Sequence, residues 1–241
     1  MKIGIVVPVP EPTGISLEKD ILRQTSVASP QTEVSVRYIK GGKPFIEIEY
    51  EDAYAVPATI EAAIQAEADG MDAIVINCTA DTGLDACREC VSIPVVAPTE
   101  SAMHLAAQLS HRFSVLTFSN RTERRFEQMA RSFGLAHKLA SVRSFEQRLD
   151  DMDLEDPELV QRLFEVGKKC VQEDSAHSII LGCTYFEVMS KSLKSSFSQT
   201  GIPVQLLEPY SIALHQAEAL VMMHLSQSKL TYPYPQGILR K

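Results

Sequence analysis

The chain has 241 residues, with 23 Lys and Arg against 31 Asp and Glu, for a formal net charge of −8. At ~100–200 residues per domain this length holds one large domain or two ordinary ones, each able to bury a core. A composition of 45% hydrophobic and 22% charged residues is that of a globular protein. The acidic excess argues against a nucleic-acid partner, which needs a basic face, and no apolar run approaches the ~20 residues of a membrane span.

The opening Met1-Lys2-Ile3-Gly4-Ile5-Val6-Val7-Pro8 is too short for a signal-peptide core and reads as a first strand over residues 3–7. Helical sequence follows over 16–25, and residues 33–39 alternate as a second strand before the Gly41-Gly42 turn. From Thr59 the residues Ile60, Ala63, Ile64 and Ala68 fall at helical spacing, with Gly70 as the stop. Residues 73–76 are short and wholly apolar, as in a strand covered on both faces. A helix over 84–91, a strand over 94–97 and a helix over 100–110 complete this pass. The same grammar restarts with a strand at 113–117, a helix at 121–133 and a weakly patterned strand at 138–143. The polar, acidic stretch between Ser144 and Asp156 reads as a loop. Asp156-Pro157 is an N-cap with proline at the first helical position, opening a helix to about residue 173. Strands at 178–181 and 204–207 follow, then a last long helix striped by Ala213, Leu214, Ala217, Leu220 and Val221. The tail from Thr231 has no periodicity and reads as surface chain. This alternation predicts an α/β fold with parallel sheets and helices on both faces.

The chain also repeats itself. Residues 72–79, ending in Cys78-Thr79, resemble 177–184, ending in Cys183-Thr184, at an offset of 105. Ser92-Ile93-Pro94-Val95 resembles Gly201-Ile202-Pro203-Val204 at an offset of 109, and residues 113–117 echo 3–7 at 110. Three matches in one order predict two similar α/β domains related by a pseudo-two-fold, residues 1–110 plus 208–241 and residues 111–207. Each half then ends a buried strand with Cys-Thr and enters a helix soon after. Ligands of open α/β sheets bind beyond the carboxyl ends of strands, so the expected active site is the cleft between the halves, with a thiol on each wall. A helix N-terminus beside each sulfur would lower the thiol pKa from ~8.5 and offer N–H groups to an anion. A single cysteine after one strand would read as buried core; two in matching context read as function.

With these residues the sequence resembles the aspartate/glutamate/hydantoin racemase superfamily. Asn77-Cys78-Thr79-Ala80-Asp81-Thr82-Gly83-Leu84 and the later Ile93-Pro94-Val95-Val96-Ala97-Pro98-Thr99-Glu100-Ser101-Ala102 are similar to its hydantoin and allantoin racemase branch. Leu181-Gly182-Cys183-Thr184 is similar to the amino-acid racemase version of the second motif. Pro8-Val9-Pro10-Glu11-Pro12-Thr13 departs from the Asn-Pro-Asn sequence usual in that branch, in a loop that contributes to substrate binding, and so leaves the substrate open. The resemblance implies an isomerase without cofactor that moves a proton across one carbon of a 5-substituted hydantoin, allantoin or an amino acid. Cys78 and Cys183 are then the acid and base, exchanging roles with the enantiomer bound. Thr79, Thr184, Thr117 and Ser119 are expected to hold the substrate oxygens, with Pro8 in the substrate loop. The alternatives are a one-thiol relative of the arylmalonate decarboxylase or maleate isomerase type, and a small-molecule-binding protein without turnover.

Other signals are weak. Cys87-Arg88-Glu89-Cys90 has no second pair at zinc spacing, and Cys170 shares an apolar stripe with Leu163 and Gly167. The six histidines form no metal-binding pattern, and no nucleotide loop is present, so neither metal nor cofactor is expected. His104 reads as surface or core, and Glu208, matched with Glu100, as a helix cap. The five cysteines read as thiols of a cytoplasmic protein, with a small-molecule substrate and a homo-oligomeric state expected.

Overall fold

The computed structural model describes residues 1–12, 17–147 and 156–236. Thr13, the expected helix start at Ser16, and most of the acidic stretch after Ser144 lie outside the described residues. The first half runs β1 (Lys2–Val7), α1 (Leu17–Thr25), β2 (Glu33–Tyr38), α2 (Glu49–Ala68), β3 (Ala73–Ile76), α3 (Leu84–Cys90), β4 (Val95–Val96) and α4 (Pro98–Leu109). The second runs β5 (Phe113–Thr117), α5 (Asn120–Ser132), β6 (Leu139–Ser144), α6 (Pro157–Gln172), β7 (Ser178–Leu181), a 3-10 turn (Thr184–Met189), α7 (Ser190–Gln199), β8 (Gln205–Leu207) and α8 (Pro209–Met222). The strands form two parallel four-stranded sheets of one topology, β2-β1-β3-β4 and β6-β5-β7-β8. The fold is α/β, as the alternation predicts.

Register tests the repeat residue by residue. Ile3 pairs with Ala73, and Phe113 with Ser178, in keeping with the offsets of 110 and 105. The match of Ser92-Ile93-Pro94-Val95 with Gly201-Ile202-Pro203-Val204 fails. Ile74 pairs with Val95 whereas Ile179 pairs with Leu206, so the fourth strands correspond at an offset of 111 (95 to 206), and the two Ile-Pro-Val segments are not equivalent. The equivalent prolines are Pro98, first in α4, and Pro209, first in α8, where a residue without an N–H and with preset φ suits a helix start. Glu100 is thus matched by Ser211, not by Glu208.

β3, β5 and β7 are buried at every position because helices cover both faces of a parallel sheet. In the first unit Val6, Ile74, Ile76 and Val95 pack on Ala62, Ala63 and Ala66 of α2 and on Leu84 and Cys87 of α3. In the second, Phe113, Val115 and Ile180 meet Ala102, Met103 and Ala106 of α4, while Leu116, Ile179 and Leu181 meet Leu163, Leu193 and Phe197. The chain divides into Met1–Pro98 with Ala213–Lys241, and Thr99–Ile212. The sequence places these boundaries at 110/111 and 207/208; α4 goes with the second unit because its alanines and Met103 fill the face of β5.

α2 starts at Glu49, ten residues before the periodicity at Thr59. The early turns are built by a cap: the Glu51 carboxylate accepts the N–H groups of Glu47 at 2.7 Å and Ile48 at 2.9 Å, so the helix runs through Pro57. The tail is also tied down. Gln227 pairs its side-chain amide with both main-chain groups of Val95, at 2.9 and 3.1 Å, closing the open side of the short edge strand β4. Tyr232 accepts from buried Arg88 at 3.3 Å.

The α8 stripe contains one buried acid. Glu218 accepts from Ser29 N (2.9 Å), Ser29 Oγ (2.7 Å), Thr32 Oγ1 (2.6 Å) and His215 Nδ1 (2.8 Å). Burial alone pushes this carboxyl up, but the bonds from Thr32, His215 and Ser29 outweigh it and hold it at about 2, below the usual 4.5. The ionised form therefore stabilises the fold fully above pH 4.5, and its contribution is lost as pH falls through about 2. Glu218→Ala is expected to cost about 1–3 kcal/mol at pH 7. In urea titrations the gap from the unmodified protein should narrow steadily below pH 4.

Candidate active site

The two Cys-Thr motifs sit on main chain built the same way. One residue past β3 the Asn77 N–H donates to Val6 O at 2.8 Å; one residue past β7 the Gly182 N–H donates to Leu116 O, also at 2.8 Å. Each cysteine then leaves its sheet, and its carbonyl closes a turn, with Cys78 O accepting from Asp81 N at 3.0 Å and Cys183 O from Phe186 N at 3.0 Å. Beyond that the halves differ. Asp81 (φ 51°) and Gly83 (φ 67°) are left-handed, so the chain turns twice before α3 begins at Leu84. Cys183 instead directly caps the 3-10 turn Thr184–Met189. The helix start expected beside each sulfur is thus present at Cys183, as a 3-10 helix, whereas at Cys78 a tight turn intervenes, and one of its amides, Ala80 N–H, points to Cys78 Sγ at 3.5 Å.

Behind Cys78 runs a chain of polar side chains. Asp20 is 2% exposed and Gln24 fully buried. Gln24 Nε2 donates to Asp20 Oδ2 at 2.8 Å. Gln24 Oε1 is an acceptor, and Asn77 Nδ2 donates to it at 2.9 Å. Tyr38 OH donates to Asp20 as well, and Arg23 Nε does so at 3.1 Å. The orientation of the residue before Cys78 is thus set from α1 and β2. Cys78 and Thr79 are half-buried, and Pro8, in the bend after β1, is buried.

Cys183 is 7% exposed and Thr184 5%. Gly182 has no alternative here: a Cβ would lie 2.9 Å from Leu116 O and 3.0 Å from Thr117 Cβ. Thr117 and Ser119 flank this strand end on the β5 side. Thr122 Oγ1 donates to Ser119 O at 2.7 Å and so accepts from Thr117 Oγ1, also 2.7 Å away. The Thr117 proton is committed to holding the β5–α5 turn. Ser119 caps α5, accepting from Arg121 N at 3.3 Å, and a hydroxyl that accepts still has a proton to give.

The remaining cysteines differ in kind. Burial pushes Cys87 up to about 12 and Cys170 up to about 11, so both stay protonated near neutrality; Cys90 is buried too. Among the described residues no His, Cys, Asp and Glu side chains gather as a metal site, and no helix is long and apolar enough to cross a membrane.

Glu187 is missing from the sequence reading. Four residues past Cys183, it accepts Tyr210 N–H at 2.6 Å and Ser211 Oγ at 2.7 Å. Burial pushes it up to about 7 in spite of the bonds from Ser211 and Tyr210. Glu208, expected as the cap of α8, turns its side chain to Lys194 Nζ at 2.8 Å instead. No periodicity marks Glu187, because its partners lie 23 and 24 residues away.

Comparison with known proteins agrees with this arrangement. The family profile Asp/Glu/Hydantoin racemase matches residues 3–217. A hydantoin racemase from Pseudomonas sp. (strain NS671) is 33% identical over 239 residues, spanning 98% of this chain and 92% of that one. The solved allantoin racemase from Klebsiella pneumoniae superposes with a TM-score of 0.85 at 26% identity, covering 100% of this chain and 97% of its own. That from Pseudomonas fluorescens gives 0.82 at 29% identity, with both chains fully covered.

A methyl group at Gly182 tests how tightly the Cys183 strand end is packed. Gly182→Ala must push β7 off β5, with an expected cost of about 1–3 kcal/mol in urea unfolding.

Proposed function

We propose, for a chain that belongs to the Asp/Glu/hydantoin racemase family and is an isomerase, that Cys78 and Cys183 are its acid and base and a 5-substituted hydantoin or allantoin its substrate. The observation that carries this reading is the matched main chain at the two strand ends, each delivering one cysteine past an identical 2.8 Å bond. Cys87 and Cys170, raised to about 12 and 11 by burial, are poor bases at neutral pH.

Inverting a carbon acid requires a base on one face and an acid on the other. A thiolate takes the proton, the opposing thiol returns one, and the next turnover runs in the opposite sense. Thiols suit the task because their pKa lies near the working pH. The carbon of a cyclic ureide is more acidic than that of a free amino acid, so bases of modest strength suffice. Charge builds on the neighbouring carbonyl oxygen as the proton leaves. Thr79, Thr184, Ser119 and the amides of the two turns are the donors proposed to hold it, with Thr117 acting one bond back through Thr122. Pro8 shapes the substrate side of the β1 end. On this reading the chemistry needs side chains alone, and polarimetry without added metal or pyridoxal phosphate, after dialysis against EDTA, should show full activity.

The serine variants separate the two thiols. Cys78→Ser and Cys183→Ser should each lower net racemisation by at least ~10²-fold, the usual worth of a general base. In deuterated water each should still exchange the enantiomer facing its remaining thiol, without inverting it, and the two should choose opposite enantiomers. Inversion by either variant at the unmodified rate, or exchange of the same enantiomer by both, would overturn the assignment.

A further inference from the structure

The amides at the start of α8 have no partner within the helix. Pro209, its first residue, has no N–H, and the next two amides, Tyr210 N–H and Ser211 N–H, both point to Glu187 Oε1, at 2.6 and 3.4 Å. The second carboxyl oxygen takes Ser211 Oγ at 2.7 Å. Glu208, in the usual capping place, gives α8 only its carbonyl, to Ile212 N at 3.0 Å. The helix is therefore capped from another element, the 3-10 turn that Cys183 opens. That turn is pinned in two adjacent places: Phe186, 1% exposed, packs its ring against Phe118 and Phe145, and Glu187 is bonded to α8.

We propose that Glu187 is a positioning residue for the racemisation, fixing the direction of the Cys183 thiol by bonding its turn to the N-terminus of α8. The inference rests on the two-thiol reading for its bearing on turnover, but the holding of the turn is measurable without substrate. The acid fits the place: burial pushes it up to about 7 in spite of the bonds that it accepts from Ser211 and Tyr210.

The test is site-resolved alkylation. The protein and its Glu187→Ala variant are treated with iodoacetamide without substrate, and labelling at Cys78, Cys87, Cys170 and Cys183 is followed by mass spectrometry. Freed from α8, the turn opens and Cys183 labels about tenfold faster, while Cys78, Cys87 and Cys170 keep their rates. kcat falls about ten- to a hundredfold while KM stays within about threefold. Glu187→Gln should rescue both properties, since its amide oxygen accepts from Tyr210 N–H and its NH2 donates to Ser211 Oγ. An unchanged Cys183 rate in Glu187→Ala, a joint rise at all four cysteines, or a glutamine variant that behaves like alanine would overturn the proposal. Failure of the two-thiol reading shows separately, in the serine variants with Glu187 intact.

Discussion

Parallel pairing of the central strands is the constraint on which the rest depends. β1 with β3, and β5 with β7, stay paired one residue past the last sheet residue, at Asn77 and Gly182, and part immediately afterwards. Each strand is buried on both faces, so the chain cannot leave its sheet sideways. It leaves at the carboxyl end, where main-chain amides are released from the ladder and must find acceptors in turns. The cysteines occupy the point of release in both halves. Their equivalence follows from sheet hydrogen bonding rather than from any contact between thiols.

The two halves solve the same problem with different means. In the second, the strands approach so closely at position 182 that only hydrogen fits on the Cα, and the following turn leads into a 3-10 helix. In the first, the matching position carries Asn77, whose amide reaches Gln24 and through it the buried Asp20. One cysteine is thus held by close packing and the other by a polar chain. That chain holds Asn77 through its Nδ2 alone, since the buried Asn77 Oδ1 has no hydrogen-bond partner among the described residues.

Three carboxyl groups organise the surroundings, buried at Asp20 and Glu218 and half-buried at Glu187. Asp20 collects Tyr38, Gln24 and Arg23; Glu187 collects the first amides of α8; Glu218 collects Ser29, Thr32 and His215. Glu187 bonds to the start of α8 from outside the helix, whereas Glu218 is a residue of α8 itself. Their titrations diverge because the balance of desolvation and donors differs: four short bonds draw Glu218 down, whereas burial prevails at Glu187.

The strands, most helices and both Cys-Thr motifs were legible in the sequence, since each rests on local information. An apolar run of four or five residues between helical patterns can only be a covered strand, and a motif repeated at the same strand end marks both sites. Family likeness rested on the same local residues. The sequence by itself therefore determined the α/β class, the doubled topology and the position of each thiol along its strand. Register at the fourth strands, the start of α2, the unit to which α4 belongs and the cap of α8 were decided only in the folded molecule. Ile-Pro-Val appears twice by wording, yet β4 and β8 align through Val95 and Leu206 because neighbouring strands set the pairing. Glu187 and Glu218 have partners 24 and up to 189 residues away, and a hydrogen bond across such a span leaves no periodic trace. Local pattern encodes which face of an element is apolar; which distant donor meets a buried acid is settled by packing alone.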